Sequence, residues 1–203
     1  MKIICVGRNY AAHAAELAHP VLDQPLIFLK PDSAVLRDNA DFYLPGFSHE
    51  IHWECELVYR ICKEAKYVNR RFAWQYVDGI GLGIDFTARD LQDEIKKKGH
   101  PWTLAKMFDG SAPISDFHDP HQYADHRNLH FELRVNEVVK QSGFSGDMIF
   151  PFEVLLEYIT QFITLRKGDL IFTGTPGGVG KVHAGDHLRA SLEGKGLLDF
   201  HVR

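Results

Sequence analysis

Between residues 51 and 61 apolar and polar positions alternate. Ile51, Trp53, Cys55, Leu57, Tyr59 and Ile61 fall on one side, and His52, Glu54, Glu56 and Arg60 on the other. A period of two is that of a β-strand with one buried face, so the stretch predicts a single strand. Shorter apolar runs at 3–6 and 26–30, the second closed by Pro31, predict two more. Residues 129–135 and 138–141 flank Asn136-Glu137 and predict a hairpin, and the tail adds strands near 169–173, 187–192 and 197–202. The glycine-rich stretch 79–85 predicts a buried strand in which several positions have no side chain to pack.

Helical signals are fewer. Residues 10–17, rich in alanine, predict a short helix after a Gly-Arg-Asn turn, and Asn69 is placed to cap a helix running through 77. Residues 87–98 carry acids early and lysines late and stop at Gly99, as a helix dipole favours, and 152–165 is the longest amphipathic stretch. Strands outnumber helices and do not alternate with them, which argues against a doubly wound parallel sheet. The expected fold is α+β, mainly β: a twisted, mostly antiparallel sandwich or roll with peripheral helices. Residues 118–127 predict a polar surface loop.

Composition narrows the picture. At 203 residues and 45% hydrophobic, the chain has material for one core, so a single domain over 1–203 is expected. A net charge of -4 with scattered Lys and Arg excludes a basic footprint, so neither nucleic acid nor a membrane surface is an expected partner and a small solute is. The apolar run at 1–7 is too brief for a signal peptide or a span, which predicts a cytoplasmic protein. Cys5, Cys55 and Cys62 lack metal-ligand or disulfide spacing and read as core residues in a reducing compartment. The 12 histidines show no repeated metal-ligand spacing.

Several polar residues sit where chemistry is conceivable. Glu54 and Glu56, two apart on a strand, share a face with about 7 Å between α carbons; they either point into water or hold a cation. Asp85 ends an apolar strand, where a charge is costly unless it caps the next helix or binds something. If the three carboxylates meet, their hard oxygens suit Mg2+ or Mn2+ better than zinc. His13 and Glu16, three apart on a helix, form either a general-base pair or an ordinary surface pair. Lys106 lies in a mostly apolar segment, where its ammonium either snorkels to solvent or meets an anion. Arg89 and Gln92 share a helix face just after Asp85. The loop 174–181 lacks the residues a P-loop requires at 175 and 182, and 79–84 lacks the third glycine of a dinucleotide fingerprint. What remains at 174–181 is a tight turn whose backbone N–H groups can hold a carboxylate.

Taken together, these segments resemble the fumarylacetoacetate hydrolase family, most closely its small single-domain acylpyruvases and oxaloacetate decarboxylases. The resemblance is carried by Gly7-Arg8-Asn9-Tyr10 with His13 and Glu16, Phe28-Leu29-Lys30-Pro31, Glu54-x-Glu56-Leu57, the run from Asp85-Phe86-Thr87-Ala88-Arg89 to Gln92, and Lys97-Lys98-Gly99 through Pro101-Trp102 to Lys106. Asp147-Met148-Ile149-Phe150 and Thr173-Gly174-Thr175-Pro176 complete it in family order. The resemblance implies a mixed β-sandwich roll, usually a homodimer, with Glu54, Glu56 and Asp85 as ligands of Mg2+ or Mn2+. It also implies that His13 and Glu16 activate water, that Lys106 contacts the reacting oxygens, and that Arg89, Gln92 and Thr175 line the pocket of a small 2-oxo acid. The implied reaction is hydrolysis of the C–C bond of an acylpyruvate to pyruvate and a carboxylic acid, with oxaloacetate decarboxylation as a companion. Alternatives are isomerisation of 2-hydroxyhepta-2,4-diene-1,7-dioate and, in another class, a non-catalytic ligand-binding protein on the same fold. Asp32 and Gly177 depart from the family pattern and are expected to alter which substrate tail fits.

Overall fold

The computed structural model describes residues 1–11 and 22–203, and the element counts below refer to these. Strand β1 (Lys2–Gly7) shows how the chain is organised: Ile4 and Val6 enter one apolar cluster, while Ile3 and Cys5 enter another on the opposite face. It lies in a five-stranded sheet, and the other members are β2 (Leu26–Pro31), β5 (Cys55–Ile61), β6 (Val77–Ile84) and β11 (Leu170–Phe172), in the order β2-β1-β11-β5-β6. Only the β1–β11 pair is parallel. Burial on both faces explains why β1 and β11 read as continuous apolar runs.

A four-stranded antiparallel sheet covers one side. It is built from β9 (His130–Val135), β10 (Val138–Phe144), β13 (His187–Leu192) and β14 (Lys195–His201), in the order β10-β9-β13-β14. Phe131, Leu133, Leu188, Ala190 and Phe200 project into the larger core, and Arg134 faces solvent. Asn136 and Glu137 both have positive φ, 51° and 67°, the backbone of a two-residue hairpin turn whose twist matches its strands. β10 extends to Phe144, beyond the expected 141, with an irregularity between Val139 and Gln141 after which Gln141 is buried. The expected mainly β sandwich with few helices is thus observed.

Four expectations need correction. The stretch 51–61 is not one strand: it breaks at Glu54 into β4 (Ile51–Trp53) and β5, which belong to different sheets. β4 lies between β7 (Thr87–Ala88) and β12 (Gly180–Lys181). At the break the Cys55 amide donates to the Gln141 side chain at 2.9 Å instead of to a neighbouring strand. The expected polar face is also not a solvent face, because Val58 on that side packs in the smaller core with Phe172 and Ile114. The helix expected at 87–98 begins later, as α1 (Arg89–Lys97), because Thr87 and Ala88 pair with His52 and Ile51. Asn69 caps as expected, its side chain accepting from the Arg71 amide, but the helix, Arg70–Tyr76, is 3-10. Three short elements had no sequence signal: α2 (Thr103–Lys106), and β8 (Ala112–Pro113) with its partner β3 (Val35–Leu36). The long amphipathic helix is α3 (Phe152–Phe162), whose Phe152 ring packs against Tyr59 and Trp74. Most of the helix expected at 10–17, with His13 and Glu16, lies outside the described residues.

Candidate active site

The antiparallel register of β5 and β6 brings the three acids together. Cys55 stands opposite Ile84, so Glu54 just before β5 neighbours Asp85 just after β6, and the Asp85 amide donates to the Glu54 carbonyl at 2.8 Å. Glu56 projects from β5 on the same side. One carboxylate oxygen from each of Glu54, Glu56 and Asp85 lies within 4.8 Å of the others. All three residues are buried, at 6%, 2% and 1% exposure, which removes the reading of two glutamates pointing into water. Asp85 does not cap α1 either: the helix has no side-chain cap, and the acid in its first turn, Asp90, accepts from Ser48 and His49 instead.

Three buried negative charges require compensation. Lys106 supplies part of it: its Nζ donates to Glu54 at 2.7 Å, to Asp85 at 2.6 Å and to the Thr87 hydroxyl at 2.6 Å. At 3% exposure it does not snorkel. Lys30 Nζ lies 2.8 Å from the other Asp85 oxygen and also donates to Ser111. Arg89 Nη2 donates to Glu54, and its Nη1 to the Gln92 side chain. Glu56 accepts from the Gly174 amide at 2.7 Å, so the turn expected to hold a carboxylate holds this one. Burial, then the neighbouring Asp85 and Glu54 charges, push the Glu56 carboxyl well above the usual carboxylate range, against the pull of Gly174 and Lys106. Burial depresses the Lys106 ammonium, but Asp85 and Glu54 outweigh it and the net shift is upward. A carboxyl whose pKa is raised by burial and by two carboxylate neighbours marks a site that accommodates further positive charge, and three convergent oxygens suit a hard divalent ion.

A cavity opens onto this cluster. Arg89, Gln92, Lys106 and Thr175 line it with the three acids, so the structure brings together every described member of the expected site. Gln92 is 2% exposed and Arg89 is largely buried, so neither is a solvated helix residue. The Thr175 hydroxyl is already committed: it donates to the Cys55 carbonyl and accepts from Gln141 Nε2, each at 2.8 Å. It therefore contributes shape to the cavity rather than a free donor. Asp32 is exposed in a 3-10 turn, and neither it nor Gly177 is among the lining residues, so the expected effect on substrate tails has no geometric support.

Sequence reasoning gave no role to Arg8, Lys96, Phe28 and Trp102, which also line the cavity. Lys96 carried a usable signal, since it lies four residues after Gln92 and seven after Arg89 on one face of α1. Lys30 carried only a weak one, as the single polar residue of an apolar run, and Gln141, flanked by Lys140 and Ser142, carried none.

Comparison with known proteins agrees with this geometry. The family profile described as fumarylacetoacetate (FAA) hydrolase C-terminal matches residues 2–203. The human protein named oxaloacetate tautomerase FAHD1, mitochondrial, is 42% identical over 200 residues, covering 98% of this chain and 90% of that protein. The crystal structure of fumarylpyruvate hydrolase from Pseudomonas aeruginosa, in complex with Mn2+ and pyruvate, is 36% identical with a TM-score of 0.94, over 100% of this chain and 89% of that one. That of 2-hydroxyhepta-2,4-diene-1,7-dioate isomerase from Mycobacterium marinum is 35% identical with a TM-score of 0.85, over 99% and 73%. Among the described residues no helix is long and apolar enough to cross a membrane.

Proposed function

The chain belongs to the fumarylacetoacetate hydrolase family, and from that premise we propose that it is a Mg2+- or Mn2+-dependent enzyme acting on a small 2-oxo acid, cleaving the C–C bond of an acylpyruvate. The observation that carries the reading is the convergence of Glu54, Glu56 and Asp85 within 4.8 Å at the base of a cavity also lined by cationic donors. These three residues would hold the ion, which when bound supplies Lewis-acid polarisation of the 2-oxo group. Arg89 and Gln92, tied to each other on α1, orient the substrate carboxylate. The three Lys106 N–H bonds go to Asp85, Glu54 and Thr87 in the metal-free protein; once a divalent ion shares the carboxylate charge, one of them would be released to donate to the oxygen on which enolate charge develops. In this reading His13, backed by Glu16, takes the proton from the water that attacks the 4-oxo carbon; the bond between carbons 3 and 4 breaks, and pyruvate leaves as its enolate.

A second reading rests on a specific observation: the human relative carries the name oxaloacetate tautomerase. Tautomerisation and decarboxylation of oxaloacetate draw on the same carboxylate and enolate contacts and need no attacking water. The test is turnover of acetylpyruvate and of oxaloacetate by metal-stripped protein, before and after adding Mn2+, beside Glu54→Ala. Metal-dependent hydrolysis of acetylpyruvate, lost in the variant, supports the first reading; reaction of oxaloacetate alone transfers the assignment to the second. Absence of any turnover with metal favours a ligand-binding protein. Cytoplasmic residence and homodimeric assembly belong to the same proposal, the first on cysteine usage and the second on the family resemblance.

A further inference from the structure

Glu54 and Glu56 converge on one point only if the residue between them keeps its two peptide planes fixed, because φ and ψ of Cys55 set the direction in which each glutamate leaves the chain. Within a sheet, neighbouring strands fix such planes. Cys55 has a strand neighbour on one side only. Toward β6 it stands opposite Ile84, beside the bond from the Asp85 amide to the Glu54 carbonyl. Its own amide and carbonyl face the other way, where the register of β11 ends with Phe172 opposite Val58 and the Thr173 amide on the Leu57 carbonyl at 3.1 Å. Beyond that point the chain leaves strand geometry, since Gly174, with φ of 97°, turns its amide to Glu56.

Two side chains stand where the strand would have continued. Gln141 Oε1 accepts from the Cys55 amide at 2.9 Å, and the Thr175 hydroxyl donates to the Cys55 carbonyl at 2.8 Å. Gln141 Nε2 closes the ring by donating to the Thr175 hydroxyl at 2.8 Å, and it also donates to the Pro176 carbonyl at 2.9 Å. These partners fix which way the amide points, because the Cys55 N–H needs an oxygen and the Pro176 carbonyl needs an N–H. Gln141 is 1% exposed and Thr175 3%, so bulk water has little access to the ring. A buried amide is costly unless its groups are met, whereas an apolar side chain of the same length carries no such cost. Here the amide is met by groups that flank the acids, which points to a use for it at the cluster.

We propose that Gln141 is a positioning residue for the carboxylate cluster. Through Cys55 and Thr175 it sets the angle between the Glu54 and Glu56 side chains, so a residue of the other sheet, bonded to Cys55, Thr175 and Pro176, governs how tightly a divalent ion is held. The inference rests on the reading that Glu54, Glu56 and Asp85 bind such an ion, and adds to it a residue outside the cavity wall.

The test is calorimetric titration of the metal-free proteins with Mn2+, each below its own melting temperature. Gln141→Met keeps length and bulk without the ring's donor or acceptor; Thr175→Val removes the bridging hydroxyl and Thr175→Ser retains it. Gln141→Met and Thr175→Val should each weaken Mn2+ binding by about tenfold or more, the scale for losing an outer partner of a metal ligand, and Thr175→Ser should stay near the wild type. Because either cut opens the same ring, the double variant Gln141→Met with Thr175→Val should bind Mn2+ about as weakly as the weaker single variant. Exchange of the Cys55 amide hydrogen in the metal-free protein should be faster in Gln141→Met than in the wild type. Mn2+ affinity close to that of the wild type in both single variants, even with lowered melting temperatures, would make the ring a structural contact alone and overturn the proposal; losses that multiply in the double variant would overturn the ring. If Gln141→Met does not fold, Thr175→Val against Thr175→Ser decides on the same criterion. Wild-type protein that takes up no Mn2+ overturns the metal reading, and this proposal with it.

Discussion

Lys106 is the residue on which the site most depends. Its ammonium serves Glu54 and Asp85 in the metal-free protein and an enolate oxygen in the proposed reaction. Lys106→Met should lower kcat by about 100-fold to 1,000-fold, the range for losing one preorganised donor at a developing oxyanion. It should also leave two buried carboxylates under-compensated, which destabilises by roughly 3–5 kcal/mol in comparable cases. Added Mn2+ should therefore raise the melting temperature of the variant more than that of the wild type. Equal gains would show that the ion does not share the charges Lys106 pairs. Glu56 supplies a pH test. Burial and its acidic neighbours raise its pKa, so between the usual carboxylate range and the raised value the folded metal-free protein holds a proton that the unfolded chain has released. Stability of the metal-free form from this group is then greatest at low pH and lost as pH rises through the folded value. Because a cation displaces that proton, Mn2+ affinity should increase with pH. Calorimetry in buffers of different ionisation enthalpy measures the proton released; none released would contradict the assignment.

How far these residues were legible depended on what covers them. Spacing alone put Glu54 and Glu56 on one face but left open whether that face met water. Val58 between the Glu56 and Arg60 positions was the available hint, since it interrupts the polar side and proves to be fully buried. The family resemblance made the ligand set readable and helical spacing tied Lys96 to Arg89 and Gln92, whereas the place of Arg8 becomes readable only once a cavity joins the turn after β1 to α1.

At the scale of elements, the site is held by close approaches that only glycine permits. A Cβ on Gly83 would lie 2.5 Å from the Phe172 ring and 2.9 Å from Val58 Cγ2, so Gly83→Ala should displace those side chains and cost about 1–3 kcal/mol in urea unfolding. An unchanged midpoint would mean that the sheet yields more easily than its packing suggests. Gly174 has φ of 97°, and a Cβ there would meet Asn9 Cβ at 2.7 Å. Its amide also holds Glu56, so Gly174→Ala should weaken Mn2+ binding as well as the fold. The element errors share a cause. The break at Glu54 follows from a hydrogen bond between the Cys55 amide and Gln141, 86 residues away, and the late start of α1 follows from pairing of β7 with β4. Local periodicity reports neither.

Over the whole molecule, the sandwich class and the main strands were readable from apolar patterning, while strand order and the short strands β3, β7, β8 and β12 were not. The parallel β1–β11 pair joins Ile3 to Leu170 and Cys5 to Phe172, a pairing no local pattern announces. Such long-range pairing is what carries the Gly7-Arg8-Asn9 turn to the end of β11 and closes the cavity wall. If the proposed homodimer forms, light scattering should give twice the 23.1 kDa chain mass, and a monomer at micromolar concentration would remove that part of the account.

The central claim is that the buried carboxylates form one divalent-cation site at which a 2-oxo acid is bound. Anomalous scattering from a crystal of the protein with Mn2+ and oxalate tests this most directly. The account predicts a single strong peak contacting Glu54, Glu56 and Asp85, with oxalate completing the coordination beside Arg89 and Lys106. A manganese peak elsewhere, or none at this cluster while Lys106 remains bound to Glu54 and Asp85, would contradict it.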